Sequence, residues 1–224
     1  MGFDHVIGHS VEAAVSFRGE HCTCTRISCL SQIESDAHPQ GSLAFSDKGS
    51  DMIKQCALSG EPLIKEVQRF VSIDDPPVPI PLLSFEHLTV RKQDFENKYL
   101  DYWNSTSEKT GTARPVDGVI LPVAPTATVI NDKYMYYGYT NVANLLDYTC
   151  VSFPVTTADQ DLDVADHEHV PLSDLDRDNW NAYDPQAYHG APVGLQVMGR
   201  RLEEEKMLWV AEAIVSALDV SRQT

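Results

Sequence analysis

The stretch "APVGLQVMGRRLEEEKMLWVAEAI", from Ala191 to Ile214, combines two periodicities that together indicate the fold. Its apolar run Val193–Met198 predicts a buried strand, and Gly199 and two arginines follow it directly. The next segment, about Glu203 to Leu218, begins with acids where a helix dipole favours them, and it predicts a helix. One face of that helix collects the apolar residues Met207, Ala211, Ile214, Val215 and Leu218. The unit is therefore strand, turn and helix.

The segments upstream of this unit extend the same alternation. "GVILPV" (118–123) and "CVSFPV" (150–155) predict strands, and "TNVANLLDY" (140–148) predicts a helix between them. A longer helix from about Glu86 to Asn104 precedes all three. Its apolar stripe consists of Phe85, Leu88, Phe95, Tyr99, Tyr102 and Trp103. This order of strands and helices is typical of the α/β class.

The first part of the chain is less regular. Residues 1–46 show no sustained period and stay unassigned, so we divide the chain into 1–46 and 47–224. A helix is predicted over Asp47–Leu58, and Pro62 is suited to begin a second one because proline fits the first helical turn. The proline-rich stretch "DDPPVPIPLL" then predicts a stiff, extended connector.

The charge of the chain excludes some partners. Its formal net charge is −16, which argues against nucleic acid or an anionic membrane surface as the main partner. Half of that excess lies between Asp159 and Asp184, where nine acids face one base, Arg177. We interpret this region, the acidic excursion, as a solvated surface loop. An EF-hand is rejected, because Asp159, Asp161 and Asp163 are not followed by the required glycine and glutamate.

The sequence predicts no metal or cofactor. The five cysteines and the absence of a recognisable secretory signal favour reduced thiols and a cytoplasmic setting. "HCTCTRISC" (21–29) has too tight a cysteine spacing for a structural zinc site. His167 and His169 would share one face of a strand, but no third ligand is identifiable. No apolar run approaches the roughly 20 residues that would cross a bilayer.

Several of these blocks, taken in order, resemble the C-terminal third of the amidase signature family, in its fungal acetamidase-type branch. The blocks are "ALSGEPLIKEV", "YLDYWN", "DGVILPVAP", "YTNVANLLDYTCVSFPVT" and "AYHGAPVGLQVMGRRLEEEKMLWVAEAI". The resemblance runs from about residue 47 to the C-terminus. It implies part of an α/β/α fold, a mixed sheet flanked by helices and truncated on its N-terminal side. It also implies hydrolysis of linear carboxylic amides.

The family's catalytic groups do not map onto this sequence. The family uses a Ser–cis-Ser–Lys triad, and the resemblance places all three residues upstream of the matched blocks. The nucleophile needs a Gly/Ser-rich loop whose backbone amides approach the oxyanion, and the sequence has no Gly-Gly pair. We therefore assign no catalytic residue and predict that the chain alone is inactive.

The matched blocks do suggest a substrate pocket. The loop "PVAPTAT" follows the first predicted strand of this half, and crevices form at strand ends in α/β sheets. We name Thr126 and Tyr139 as candidate pocket-lining residues. Pro122, Pro125 and Pro154 are expected to end strands or turns, and Gly194 to permit close approach of a neighbouring element.

Three functions remain open at this point. The chain is an amidase-like protein that lacks its own triad, or a non-catalytic binding module in a fungal metabolic or secondary-metabolite pathway, or a metal-binding protein using its His/Cys cluster. The expected ligand is a small amide. The uncovered sheet edge predicts self-association or a partner chain.

Overall fold

Five strands form one sheet in a computed structural model that describes residues 11–18, 21–28, 43–71, 78–166 and 168–223. The strand order is β2-β1-β3-β5-β4, and each neighbouring pair is antiparallel. The strands are β1 (Val11–Arg18), β2 (His21–Ser28), β3 (Gly118–Pro122), β4 (Thr149–Thr157) and β5 (Pro192–Gly199).

Among the described residues, five helices follow the predicted order, and two short ones lie between β4 and β5, where a loop was predicted. The helices are α1 (Ser50–Ser59), α2 (Lys65–Gln68), α3 (Leu82–Ser105), α4 (Gly138–Leu146), α5 (Asp174–Asn181), α6 (Pro185–Tyr188) and α7 (Glu204–Gln223), with a 3-10 turn at Thr106–Glu108. The long helices α3 and α7 and the shorter α4 lie close to their predicted bounds. The prediction that a helix begins at Pro62 was wrong. Ile64 has an extended backbone and Leu63 is buried, so the helix begins only at Lys65. Only the single turn α2 is helical there.

The β1–β2 hairpin was not predicted as structure. It joins the sheet through pairing of Ala13, Ala14 and Val15 with β3. The backbone N–H of Asp117 also donates to the Val15 carbonyl at 2.8 Å. The hairpin thus extends the sheet formed by the rest of the chain. The division at residue 46 stays a prediction.

Helices cover both faces of the sheet. On one face, α3 and α4 contribute Tyr99, Trp103 and Leu146 to a core with Val119 and Met198. On the other face, α7 packs against the sheet and forms a second core. Its buried members are Val15, Phe153, Val197, Met207, Val210 and Ala211. Neighbouring residues of β5, Val197 and Met198, enter opposite cores because side chains alternate along a strand. The predicted α/β class is confirmed.

Two positional expectations were wrong. Pro154 lies inside β4 rather than at its end, at an irregularity in the pairing with β5. Proline is tolerated there because β4 is an edge strand, with no further strand on its outer side that would need a backbone N–H as a donor. A Cβ on Gly194 would meet only ordinary contacts, with Val123 at 3.5 Å. Gly199, at the end of β5, is a crowded position instead, because a Cβ there would collide with the side chain of Met207.

The apolar face of α7 is rotated slightly from its prediction. Met207 and Val210 are fully buried, whereas Ile214 is only half-buried. Lys206, which lies off the predicted apolar stripe, contacts Asp117 Oδ1 at 3.2 Å and Glu203 Oε2 at 3.4 Å. The helix is therefore fixed to the sheet by its first two turns.

Candidate functional site

The candidate site lies at one edge of the sheet. Strands β3 and β4 run in the same direction on either side of β5, so their carboxyl ends meet at this edge. The loop 123–137 leaves β3 there, and the acidic excursion leaves β4 and returns to β5 at the same place. Such an edge is where α/β sheets form ligand crevices.

Gln196 holds this edge together. Its side chain is 4% exposed, and its amide nitrogen donates to the carbonyl of Pro122 at 2.9 Å and that of Tyr139 at 2.8 Å. Both partners are acceptors, so the nitrogen of the side-chain amide must face them. The residue therefore ties the end of β3 to the first turn of α4. It was missed from the sequence, where its one available signal is a polar residue inside the apolar run of β5.

Thr126 lies half-buried in the loop after β3. Its hydroxyl donates to the Thr128 carbonyl at 2.7 Å, which closes a local turn. Burial raises the pKa of Tyr188, and its side-chain hydrogen bond with Thr126 acts against that rise. Tyr188 ends α6, just after the acidic excursion, so Thr126 lies where the chain returning to β5 contacts the loop.

Tyr139 is 6% exposed at the start of α4. Its ring meets that of Tyr136 edge to face, with 5.1 Å between centroids. Nearby, Tyr134 and Tyr137 pack edge to face at 4.6 Å. Gln196 therefore ties Tyr139 to the end of β3, four residues before Thr126, and Thr126 is the more accessible of the two expected pocket residues.

The acidic excursion is closed at its neck and braced inside. The backbone N–H of Ala158 donates to the Ala191 carbonyl at 2.9 Å. Within it, the Tyr183 hydroxyl donates to the Asp163 carbonyl at 2.6 Å, and the Trp180 indole donates to the Asp166 carbonyl at 2.9 Å. Its one base, Arg177, contacts Asp174 and Asp178. The excursion therefore presents a strongly acidic surface beside the site.

The metal-ligating residue types serve other purposes where they are described. His169 stacks on Trp180 with 4.1 Å between centroids, and its Nε2 lies 3.3 Å from the buried carboxylate of Asp176. Asp159 and Asp163 accept backbone hydrogen bonds in a turn. Over the described ranges, no group of three or more His, Cys, Asp or Glu side chains could hold a metal ion. His167 and the side chains of residues 21–29 lie outside those ranges.

No activated nucleophile is visible in the part of the chain that the structure describes. There, no serine hydroxyl is hydrogen-bonded to a lysine amine; the hydroxyls of Ser59 and Ser105 bond to backbone carbonyls instead. Amide hydrolysis by a serine needs a base that removes its proton. Among the described residues, therefore, no serine is activated for this reaction.

This edge of the sheet lies in a region that matches a known protein family. The amidase family model matches residues 82–208, more than half of the chain, and this range includes Gln196, Thr126 and Tyr139. The chain therefore belongs to the amidase family. No helix among the described residues is both long and apolar enough to span a membrane.

Fungal amidases are among its curated relatives. An acetamidase of Emericella nidulans is 40% identical over 75% of this chain and 30% of its own length. An acetamidase of Aspergillus oryzae is 39% identical over the same shares. Amidase 2 of Gibberella moniliformis is 37% identical over 72% of this chain and 31% of its length. The chain thus spans about a third of the length of these relatives.

The fold has a solved counterpart. A fatty acid amide hydrolase matches with a TM-score of 0.68 and 24% identity, covering 81% of this chain and 31% of that one. This match agrees with the sheet and its flanking helices. It supports the fold that the sequence resemblance implied.

Proposed function

We propose that this chain forms the C-terminal part of an amide hydrolase that acts on C–N bonds of linear amides. The sheet edge supplies the wall of the acyl pocket, with Thr126 on the loop after β3 and Tyr139 at the start of α4. The observation that carries this proposal is the clamp of Gln196, which fixes both elements within the family-matched region. Positioning a substrate requires pocket residues that are already held in place before the substrate binds.

We propose in addition that the chain does not hydrolyse amides by itself. A serine is a weak nucleophile until a base activates it, and an oxyanion needs aligned donors. The sequence has no Gly-Gly pair to form such a loop, and no Ser–Lys hydrogen bond occurs among the described residues. The chain's thiols, of which Cys56 and Cys150 are free, fit a cytoplasmic setting.

Turnover measurements test this directly. We expect no ammonia release from simple aliphatic amides and no labelling by a serine-directed fluorophosphonate, under conditions where a full-length acetamidase reacts in both assays. In a second experiment, both assays are repeated after a separately produced N-terminal part of such an enzyme is added to the chain. Labelling in the chain alone, abolished by changing one serine to alanine, would show that this protein carries its own nucleophile.

The exposed apolar residues predict association. The first half of α3 presents Leu82, Leu83 and Val90, which are 73%, 62% and 56% exposed. Clustered apolar surface of this kind is typical of an interface. We expect light scattering to detect self-association that Leu83→Glu weakens. Leu202→Glu, at a still more exposed position in the turn between β5 and α7, should leave it unchanged. A monomer at every concentration tested would contradict the prediction.

A further inference from the structure

A histidine, a buried aspartate and a tryptophan contact one another inside the acidic excursion. The Nε2 atom of His169 lies 3.3 Å from Oδ2 of Asp176, and the His169 ring stacks on the Trp180 ring with 4.1 Å between centroids. The Asp176 side chain is 1% exposed and that of His169 is 23% exposed. These three side chains join the segment before α5 to α5 itself, and we call them the His169 contact.

The Asp176 carboxylate is held in a fixed position within this contact. Its Oδ2 accepts the backbone N–H of Leu172 at 2.8 Å, and the residue lies in the first turn of α5, where the helix dipole favours a negative charge. Arg177, the one arginine or lysine between residues 159 and 184, contacts two other aspartates instead. His169 is therefore placed to supply a positive charge to Asp176.

A proton on the His169 ring strengthens both of its contacts. A neutral imidazole can donate one hydrogen bond to a carboxylate, whereas an imidazolium makes that hydrogen bond charge-assisted and roughly twice as strong. The positive ring is also attracted to the face of the Trp180 indole. Histidine changes its charge between about pH 5 and 8. The contact is therefore stronger at the acidic end of that range, and this added strength is lost as the pH rises.

The other charged groups around His169 act in the same direction. Asp166 and Glu168 precede it on its own segment, and the Asp166 carboxylate accepts the Glu168 backbone N–H at 2.8 Å. Both side chains are acids, so a positive ring is attracted to them as well as to Asp176. The Trp180 indole donates to the Asp166 carbonyl at 2.9 Å, which fixes the ring on which His169 stacks.

We propose that the His169 contact is pH-dependent and stabilises the acidic excursion in mildly acidic solution. With a proton on its ring, His169 ties the segment before α5 to Asp176 and Trp180. Without that proton, only a neutral hydrogen bond and ring stacking remain. The excursion leaves β4 and returns to β5 at the Gln196 edge, so the contact sets how firmly the chain beside that edge is held. This regulation goes beyond the proposed amide chemistry and does not depend on it.

Amide hydrogen exchange of the intact chain at pH 5.5 and pH 8 tests the proposal. After the intrinsic pH dependence of exchange is divided out, we expect protection over residues 169–183 to be about five- to tenfold higher at pH 5.5. The reason is that opening this segment at pH 5.5 breaks a charged hydrogen bond and a cation–π contact. At pH 8 the same opening breaks only their weaker neutral counterparts.

Three variants assign the effect to this contact. His169→Gln removes the titrating ring but keeps an amide that can donate to Asp176, so its protection over the segment should be equal at the two pH values. Asp176→Asn keeps the shape of the side chain, removes its charge and should also lose the pH effect. His87→Gln, at an exposed position of α3, is the matched control and should keep the full effect. Circular dichroism checks that each variant is folded.

Three results would overturn the proposal. Equal protection at the two pH values in the unchanged chain would show that a proton on His169 does not strengthen the contact. Higher protection at pH 8 would show that the proton weakens it. An undiminished pH effect in His169→Gln would place its origin in other titrating groups.

Discussion

Met207→Ala is expected to lower the free energy of unfolding by about 2–5 kcal/mol. Met207 is fully buried at the first turn of α7 and packs with Val15, Phe153 and Val197. Its sulfur also lies against Gly118 and Gly199, which have no side chain to fill the space that alanine would leave. The loss therefore combines reduced apolar burial with a cavity between helix and sheet.

The neighbouring residue provides the control for this measurement. Leu208 is 59% exposed, so Leu208→Ala should change the free energy of unfolding by at most about 0.5 kcal/mol. Urea denaturation of both variants, followed by circular dichroism, gives the comparison. Equal losses at the two positions would show that α7 does not present this face to the sheet.

Gln196→Leu is the second change with a large expected effect, about 2–4 kcal/mol of destabilisation. Leucine has a similar size but cannot donate, so the carbonyls of Pro122 and Tyr139 would lose their side-chain partner. Each buried acceptor left without that donor costs about 1–3 kcal/mol. Tyr139 lies in the first turn of α4, so the helix start should loosen with the end of β3.

A local measurement separates this clamp from general destabilisation. Amide hydrogen exchange should increase near residues 122–126 and 139–143 in Gln196→Leu, before exchange rises elsewhere. Gln186→Leu, at an exposed position of α6, should change neither stability nor exchange. Uniform acceleration across the sheet would argue against a clamp at this edge.

The sequence pattern predicted the elements whose burial is locally periodic. The stripe of α3 that ends in Tyr99 and Trp103, and the apolar run of β5, are repeated burial patterns that can be read without knowing their neighbours. The same periodicity misjudged Ile214, which is half-buried. A stripe gives the side of a helix that faces the sheet, whereas burial of each position depends on how far the sheet extends beneath it.

The candidate site was predicted only in part. Thr126 and Tyr139 follow from strand ends and the family resemblance, and their role in a pocket remains a prediction. Gln196 was missed because its partners are 74 and 57 residues away along the chain. Nothing in the run "PVGLQVMG" indicates which carbonyls the amide meets.

The sequence by itself determined the α/β alternation, the family and the last helix. The alternation and the helix follow from hydrophobic periodicity and turn residues, which depend only on neighbouring residues along the chain. Only the tertiary structure decided that the β1–β2 hairpin extends the sheet, that Pro154 stays within an edge strand, and that Gln196 ties the end of β3 to the start of α4. These features depend on hydrogen bonds between residues far apart in sequence. Their partners are chosen by the folded arrangement of strands, which local patterns do not specify.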